Sequence, residues 1–197
     1  MGRKILASGT LLAPLPAVMV TCRSGERVGI LTIAWTGIIN TKPPMTYISV
    51  RPTRHSYDII KESGEFVINL TTSAMVRETD FCGVKSGRDT DKISACKLAL
   101  CEASAVNAPV LEGSPLALEC KVREIKQMGS HDMFIADIVA VNADERYIDS
   151  KGKINLQQSG LMAYSHGEYF ALGRKLGEFG YSVAKKKKNK AYNRVKR

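Results

Sequence analysis

The chain has 197 residues, 44% of them apolar and 24% charged, which suits one soluble domain with a full core. Its net charge of +10 is uneven: the stretch KKKKNKAYNRVKR, residues 185–197, holds eight basic and no acidic side chains, leaving +2 on residues 1–184. A body this close to neutral is not built as a polyanion-binding surface, and no apolar run reaches the ~20 residues of a membrane-spanning helix. The composition predicts a domain over 1–184 and a solvated, disordered basic tail over 185–197. The N-terminal MGRKILASGTLLAPLPAVMV turns from basic to apolar, but Pro14 and Pro16 interrupt it and no small-residue cleavage pattern follows. It reads as the lead-in to a first strand rather than a signal peptide, and a cytoplasmic location is expected. Five cysteines without a CxxC spacing fit reduced, mostly buried thiols; Cys96 and Cys101 are near enough in sequence to meet if the chain folds back.

In chain order, Ala17 to Cys22 reads as a short apolar strand, followed by turn chemistry in RSGE. Val28 to Trp35 is apolar on both alternating sets apart from Thr32, the pattern of a strand covered on two faces. TGIINTKPP should break it, because Pro43 and Pro44 cannot donate to a ladder. Met45 to Val50 is a third strand. RPTRHSYDIIKESG then reads as a helix with Thr53 as its cap, Ile59 and Ile60 facing inward and Gly64 ending it. EFVINL is a short strand, and Ser73 is placed to cap a second helix, AMVRETDFCG, that Gly83 stops. The polar stretch KSGRDTDKISACKLALCEASAVNAP reads as loop with short helical turns. LALECKVREI alternates, with Leu116, Leu118, Cys120 and Val122 on one side and Glu119, Lys121 and Arg123 on a wet face. KQMGSHD is a hairpin turn, MFIADIVAVNAD the returning strand, and GEYFALG a last strand or extended arm. Strands joined mostly by turns, with two early helices, predict a mainly β, antiparallel barrel rather than a doubly wound parallel sheet.

The chemistry gathers around the third strand and the helix that follows. A helix start presents unpaired N–H groups and a partial positive charge; Arg51 and Arg54 bracket this one, and Thr53 and Ser56 add hydroxyls, so a phosphate could dock there. An ordinary capped surface helix has the same composition. Trp35, where the apolar strand ends, is either core or the wall of a planar-ligand slot. His55, His131 and His166 are scattered without an i, i+4 pair, which gives no metal pattern, and no G-x-G-x-x-G, Walker A, nucleophile elbow or paired-carboxylate arrangement is present.

Six spaced segments share a likeness: TIAWTG; PPMTYISVRPTRHSYDIIKESGEFVINL; Asp91–Lys92; SPLALECKV; GSHDMFIADIVAV; and YFALGRKLGEFG. In this order, from Leu11 to Gly180, they resemble the flavin reductase-like family of FMN-binding split barrels, its flavoredoxin branch in particular. The resemblance implies a six-stranded antiparallel Greek-key barrel with flanking helices, a homodimer, and FMN near the subunit interface. It implies Thr32, Ile33, Ala34, Trp35 and Thr36 along the isoalloxazine, and Ser49, Arg51, Thr53 and Ser56 around the phosphate. Asn69 and Leu70 would meet the pyrimidine side, Lys92 and His131 would approach from later loops, and Tyr164 and Phe170 would be aromatic neighbours. Some members carry Asn where this chain has Gly29, so one side-chain hydrogen bond to the cofactor is expected to be missing.

Flavin supplies the electron chemistry while the protein supplies position and electrostatics. A cation such as Lys92, or N–H groups after Asn69, would raise the reduction potential by stabilising charge at the N1–C2=O edge; apolar walls from Ile33, Trp35 and Leu70 would oppose it. Two functions fit: an electron-transferring flavoprotein with resident FMN, working with a redox partner protein or NAD(P)H, and an NAD(P)H:flavin oxidoreductase that releases its flavin. A third, of another class, is polyanion binding through the basic tail, with nucleic acid contacts weak and confined to it.

Overall fold

The computed structural model describes residues 2–184; the basic tail lies outside the described residues. The main sheet contains seven antiparallel strands in the order β3-β2-β6-β9-β10-β5-β4. These are β2 (Val18–Ser24), β3 (Arg27–Ile33), β4 (Thr36–Thr41), β5 (Pro44–Val50), β6 (Glu65–Leu70), β9 (Leu116–Gln127) and β10 (Asp132–Ala143). The two ends of this order, β3 and β4, are consecutive in the chain and joined only by Ala34 and Trp35. One long run therefore pairs with β2 in its first half and with β5 in its second, which curls the sheet into a split barrel. That division accounts for seven strands where the barrel expectation had six. Two short strands, β7 (Leu100–Cys101) and β8 (Val110–Leu111), pair with each other. A three-stranded sheet joins β1 (Leu15–Pro16), β11 (Met162–Ser165) and β12 (Glu168–Ala171), so GEYFALG is a strand, with a partner strand the sequence pattern did not reveal.

The barrel interior is apolar: Val18, Val20, Leu31, Ile33, Ile48, Phe66, Phe134 and their neighbours meet Ile59 and Ile60 of helix α1 (His55–Ser63). β3 is covered on both faces, as its apolar pattern, broken only at Thr32, predicts. Leu31 and Ile33 point into the barrel, while Ile30 joins Met19, Cys82 and Leu111 under helix α2 (Val76–Val84). Gly64 ends α1 at φ 68°, a conformation glycine adopts without steric cost.

Several local expectations are corrected. Thr53 is not the cap of α1; Arg54 holds that position and no side chain caps the helix. TGIINT forms an edge strand, with Pro44 as the first residue of β5 opposite Thr41, a place where a missing N–H costs little. The apolar run ends at Ile33 rather than Trp35. Ser73 opens a single 3-10 turn behind Thr72, and Gly83 lies inside α2, which stops at Val84. Glu119 is fully buried, not wet: its carboxylate accepts from the Ser104 and Ala105 N–H groups and from the Ser104 hydroxyl, and this satisfaction lets a charged side chain lie under a loop. Cys96 packs with the Cys82 cluster and not with Cys101.

Candidate functional site

At the seam where β3 passes into β4, a cleft of about 430 Å³ opens. It is lined by Thr32, Ile33, Ala34 and Trp35 from the seam, by Ser49, Val50, Arg51, Thr53 and Arg54 from the end of β5 and the mouth of α1, and by Leu31, Ser86 and His131. The reason these runs meet is topological: Ser49 N–H donates to Trp35 O at 3.0 Å, so the seam and the end of β5 are hydrogen-bonded neighbours. Trp35, 43% exposed, faces the His131 ring at 6.1 Å between centroids and 23° between planes, a stacked pair at the rim. His131 sits in the β9–β10 hairpin, where Met128 N–H donates to its carbonyl. Burial, then the Arg51 and Arg54 charges, lowers its pKa from the usual 6.5 and favours the neutral ring. Among the described residues neither guanidinium has a carboxylate within salt-bridge distance, whereas neighbouring Arg88 is held by Asp58 at 3.7 Å.

A second cleft of about 350 Å³ adjoins the first across the start of α1: Arg54 lines one and His55 the other, as do Ser86 and Gly87. Gly29, Arg88, Asp91 and Lys92 are among the residues that line it. Asp91 caps the short helix α3 (Lys92–Ala95), accepting from Ile93 and Ser94 N–H, and so aims Lys92 inward. Lys92 is only 6% exposed and its Nζ donates to Cys82 O at 3.0 Å; burial lowers its pKa from the usual 10.5. His55 is lowered from 6.5 by burial and then by Arg88, Lys92 and Arg27. A side chain at Gly87 would strike the His55 ring at 2.6 Å, so that glycine lets the loop approach the helix mouth.

Of the residues expected at the site, Thr32, Ile33, Ala34, Trp35, Ser49, Arg51, Thr53 and His131 converge in the first cleft, and Lys92 in the second. The others lie elsewhere. The Thr36 hydroxyl donates to Tyr47 O within the β4–β5 pair. Ser56 is 2% exposed, and its Oγ faces the Cys22–Gly29 contact inside the barrel. Asn69 is fully buried, donating to Met19 O and Thr21 Oγ1 and accepting from Leu111 N–H, so its amide is consumed by the fold. Leu70 lines an apolar groove with Pro14 and Met162. Tyr164 packs edge-on against Tyr169, and Phe170 stands half exposed, both on the three-stranded sheet. Ser86 and Arg88 escaped the sequence reading because a polar loop gives no period; the only signal was Gly87 beside them. The place of Gly29 is explained by crowding: a Cβ there would meet Ser56 Oγ at 2.8 Å and Cys22 Sγ at 2.9 Å.

The family model described as "Flavin reductase like domain" matches residues 11–173. The chain belongs to the flavin reductase-like family. Among solved structures, flavoredoxin of Desulfovibrio vulgaris (Miyazaki F) is 28% identical with a TM-score of 0.85, covering 93% of this chain and 100% of that one. Flavoredoxin from Methanosarcina acetivorans superposes at a TM-score of 0.84 with 24% identity, over 93% and 100% of the two chains, a likeness of fold. The FMN reductase (NADH) RutF of Pseudomonas syringae pv. syringae is 25% identical over 130 residues, 66% of this chain and 70% of its own length. This family member is a flavin-related redox protein. Among the described residues no helix is long and apolar enough to cross a membrane.

Proposed function

We propose that the protein holds FMN across the two adjoining clefts and passes electrons through it, in the manner of a flavoredoxin. The observation that carries this reading is one juxtaposition: a stacked Trp35–His131 wall beside two guanidiniums, Arg51 and Arg54, that have no carboxylate partner among the described residues. The donor set suits the cofactor. The seam at Ile33 and Ala34 and the end of β5 at Val50, backed by the apolar core, give a bed for a flat ring; Ser49, Thr53, Arg51 and Arg54 give hydroxyl and charge-assisted donors for a phosphate at the mouth of α1, with Lys92 in the adjoining cleft. Bound flavin supplies reversible one- and two-electron transfer. The chain's own contribution is to orient the ring against Trp35, to shield it with the apolar bed and to balance its negative charge with Arg51, Arg54 and Lys92.

Arg51→Ala tests the reading in titrations of the purified protein. FMN affinity should fall by about 1.5–3 kcal/mol, the loss of one charge-assisted hydrogen bond, while riboflavin, which lacks the phosphate, should be nearly unaffected. Equal losses for both ligands, or a wild-type protein whose spectrum ignores added FMN, would defeat it. The named activity of RutF supports a second reading, in which NADH reduces a flavin that then leaves; NADH consumption that depends on added free flavin separates it from a protein that keeps FMN through gel filtration. The cytoplasm is the proposed location, supported by five free thiols. A homodimer is proposed from Ile38, Ile39, Val139 and Val141, which stand exposed on β4 and β10; a single-chain mass in light scattering would refute it. Polyanion binding by the tail predicts a steep salt dependence that truncation of residues 185–197 removes.

A further inference from the structure

We propose that Tyr57 and Asp132 are a positioning pair that holds the His131 ring against Trp35 and so shapes the rim of the ligand slot. Asp132 follows His131 directly at the start of β10 and is 4% exposed. Its Oδ2 accepts from the Tyr57 hydroxyl at 2.6 Å, a buried bond between residues 75 apart in sequence. Tyr57 lies in the first turn of α1, 7% exposed, its ring edge-on to Phe134 at 5.3 Å. The same strand start is paired to β5, with Asp132 opposite Val50 and Met133 opposite Ser49. One hydrogen bond thus ties the helix whose mouth carries Arg54 and His55 to the hairpin that carries His131. The Met128 N–H bond to the His131 carbonyl holds the backbone of the hairpin tip, but the ring has little other restraint: its Nδ1 is 2.9 Å from the hydroxyl of exposed Ser130, and its stacking partner Trp35 is itself part exposed. The fold has spent a buried carboxylate at this one joint, where Tyr57 is its side-chain partner and the tyrosine pKa is pushed up to about 12, chiefly by that bond.

The inference rests on the flavin reading only for what the slot receives, and its test needs no flavin. Trp35 is the sole tryptophan, so indole fluorescence, excited at the red edge where the seven tyrosines do not absorb, reports this rim alone. A protonated imidazole stacked on indole quenches it. The charged groups facing His131 are Arg51 and Arg54, from the β5–α1 connection; Asp132, next on the strand, turns its carboxylate to the Tyr57 hydroxyl. In the flavin-free full chain, acidification should quench the fluorescence with a midpoint below 6.5, and His131→Asn should abolish the step. Tyr57→Phe, with native circular dichroism, should lose most of the quench and move its midpoint towards 6.5 as the ring swings out to solvent. Asp132→Asn, which keeps an acceptor for the hydroxyl, should retain the quench. Should Tyr57→Phe not fold, Asp132→Ser, too short to reach the hydroxyl, reads the same two quantities. A folded Tyr57→Phe or Asp132→Ser with full quench and an unmoved midpoint overturns the proposal. In the holoprotein Tyr57→Phe should weaken FMN and riboflavin alike, by roughly threefold to tenfold, since the wall meets the ring and not the phosphate. A wild-type chain that binds no FMN but shows these quench results removes the flavin reading and leaves the positioning pair standing.

Discussion

The two walls of the barrel are built differently. On the β2–β3–β6 side the inner face packs into the core and the outer face is covered as well, by Cys82 and Leu111 over Met19 and Ile30, and by Val106, Ala108 and Val110 over Val67. On the β4–β5–β10 side the inner face is equally dry, with Ile48, Val50, Phe134 and Ala136, yet Ile38, Ile39, Val139 and Val141 face outward uncovered. The first cleft, which the second adjoins along β3, forms where the covered wall gives way to the bare one. There the backbone exchanges one pairing partner for another, and Trp35 falls between two ladders instead of inside one. Regular pairing consumes side chains and polar groups; a seam leaves them free to meet a ligand.

The strongest way to break this contrast is to unfasten the covered wall. Glu119→Ala removes the acceptor of three N–H and hydroxyl donors from a fully buried place, and it should cost about 3 kcal/mol in urea unfolding, with the 104–105 loop the first to exchange its amides. A loss below ~1 kcal/mol would mean that water serves that loop equally well. Next is the approach of α1 to β3. Gly29→Ala must push on Ser56 Oγ, Cys22 Sγ and, at 3.2 Å, Ile59 Cδ1, so about 1–3 kcal/mol of overpacking is expected in the same assay. A neutral result would show that α1 can shift, and with it the mouth of the cleft.

The smallest effect has the opposite sign. Burial depresses the Lys92 pKa, so the fold disfavours its ammonium; the stability belonging to the neutral amine is present above pH 10.5 and lost as pH falls through the lowered folded value. At pH 7 the side chain is therefore a stability cost, and Lys92→Met should raise stability by about 1 kcal/mol and, on the proposed flavin reading, weaken FMN binding. The gain should shrink above pH 10.5. A destabilised variant would show that the bond to Cys82 O outweighs the burial of charge.

How much was legible differs by residue. Thr32–Trp35 and Ser49–Arg54 are contiguous runs, and the alternation that makes their strands also delivers their ends to one rim, so most of the first cleft could be read directly. Asn69 could not: an amide at a strand end looks like a ligand donor until its three partners, Met19, Thr21 and Leu111, are seen to hold it. Glu119 reads as wet by period and is dry because a loop fifteen residues earlier crosses over it.

By itself the sequence determined the antiparallel β class, the doubly covered β3, the helix that Gly64 stops and the basic mouth of that helix, because these follow from local periodicity and backbone preference. Only the tertiary structure decided that β3 and β4 close the barrel, that His131 lies on Trp35, that Tyr57 reaches Asp132 and that Ser86 and Lys92 flank the clefts. Those contacts join residues tens of positions apart, and their free energy comes from burial and hydrogen-bond geometry that no short window of sequence contains.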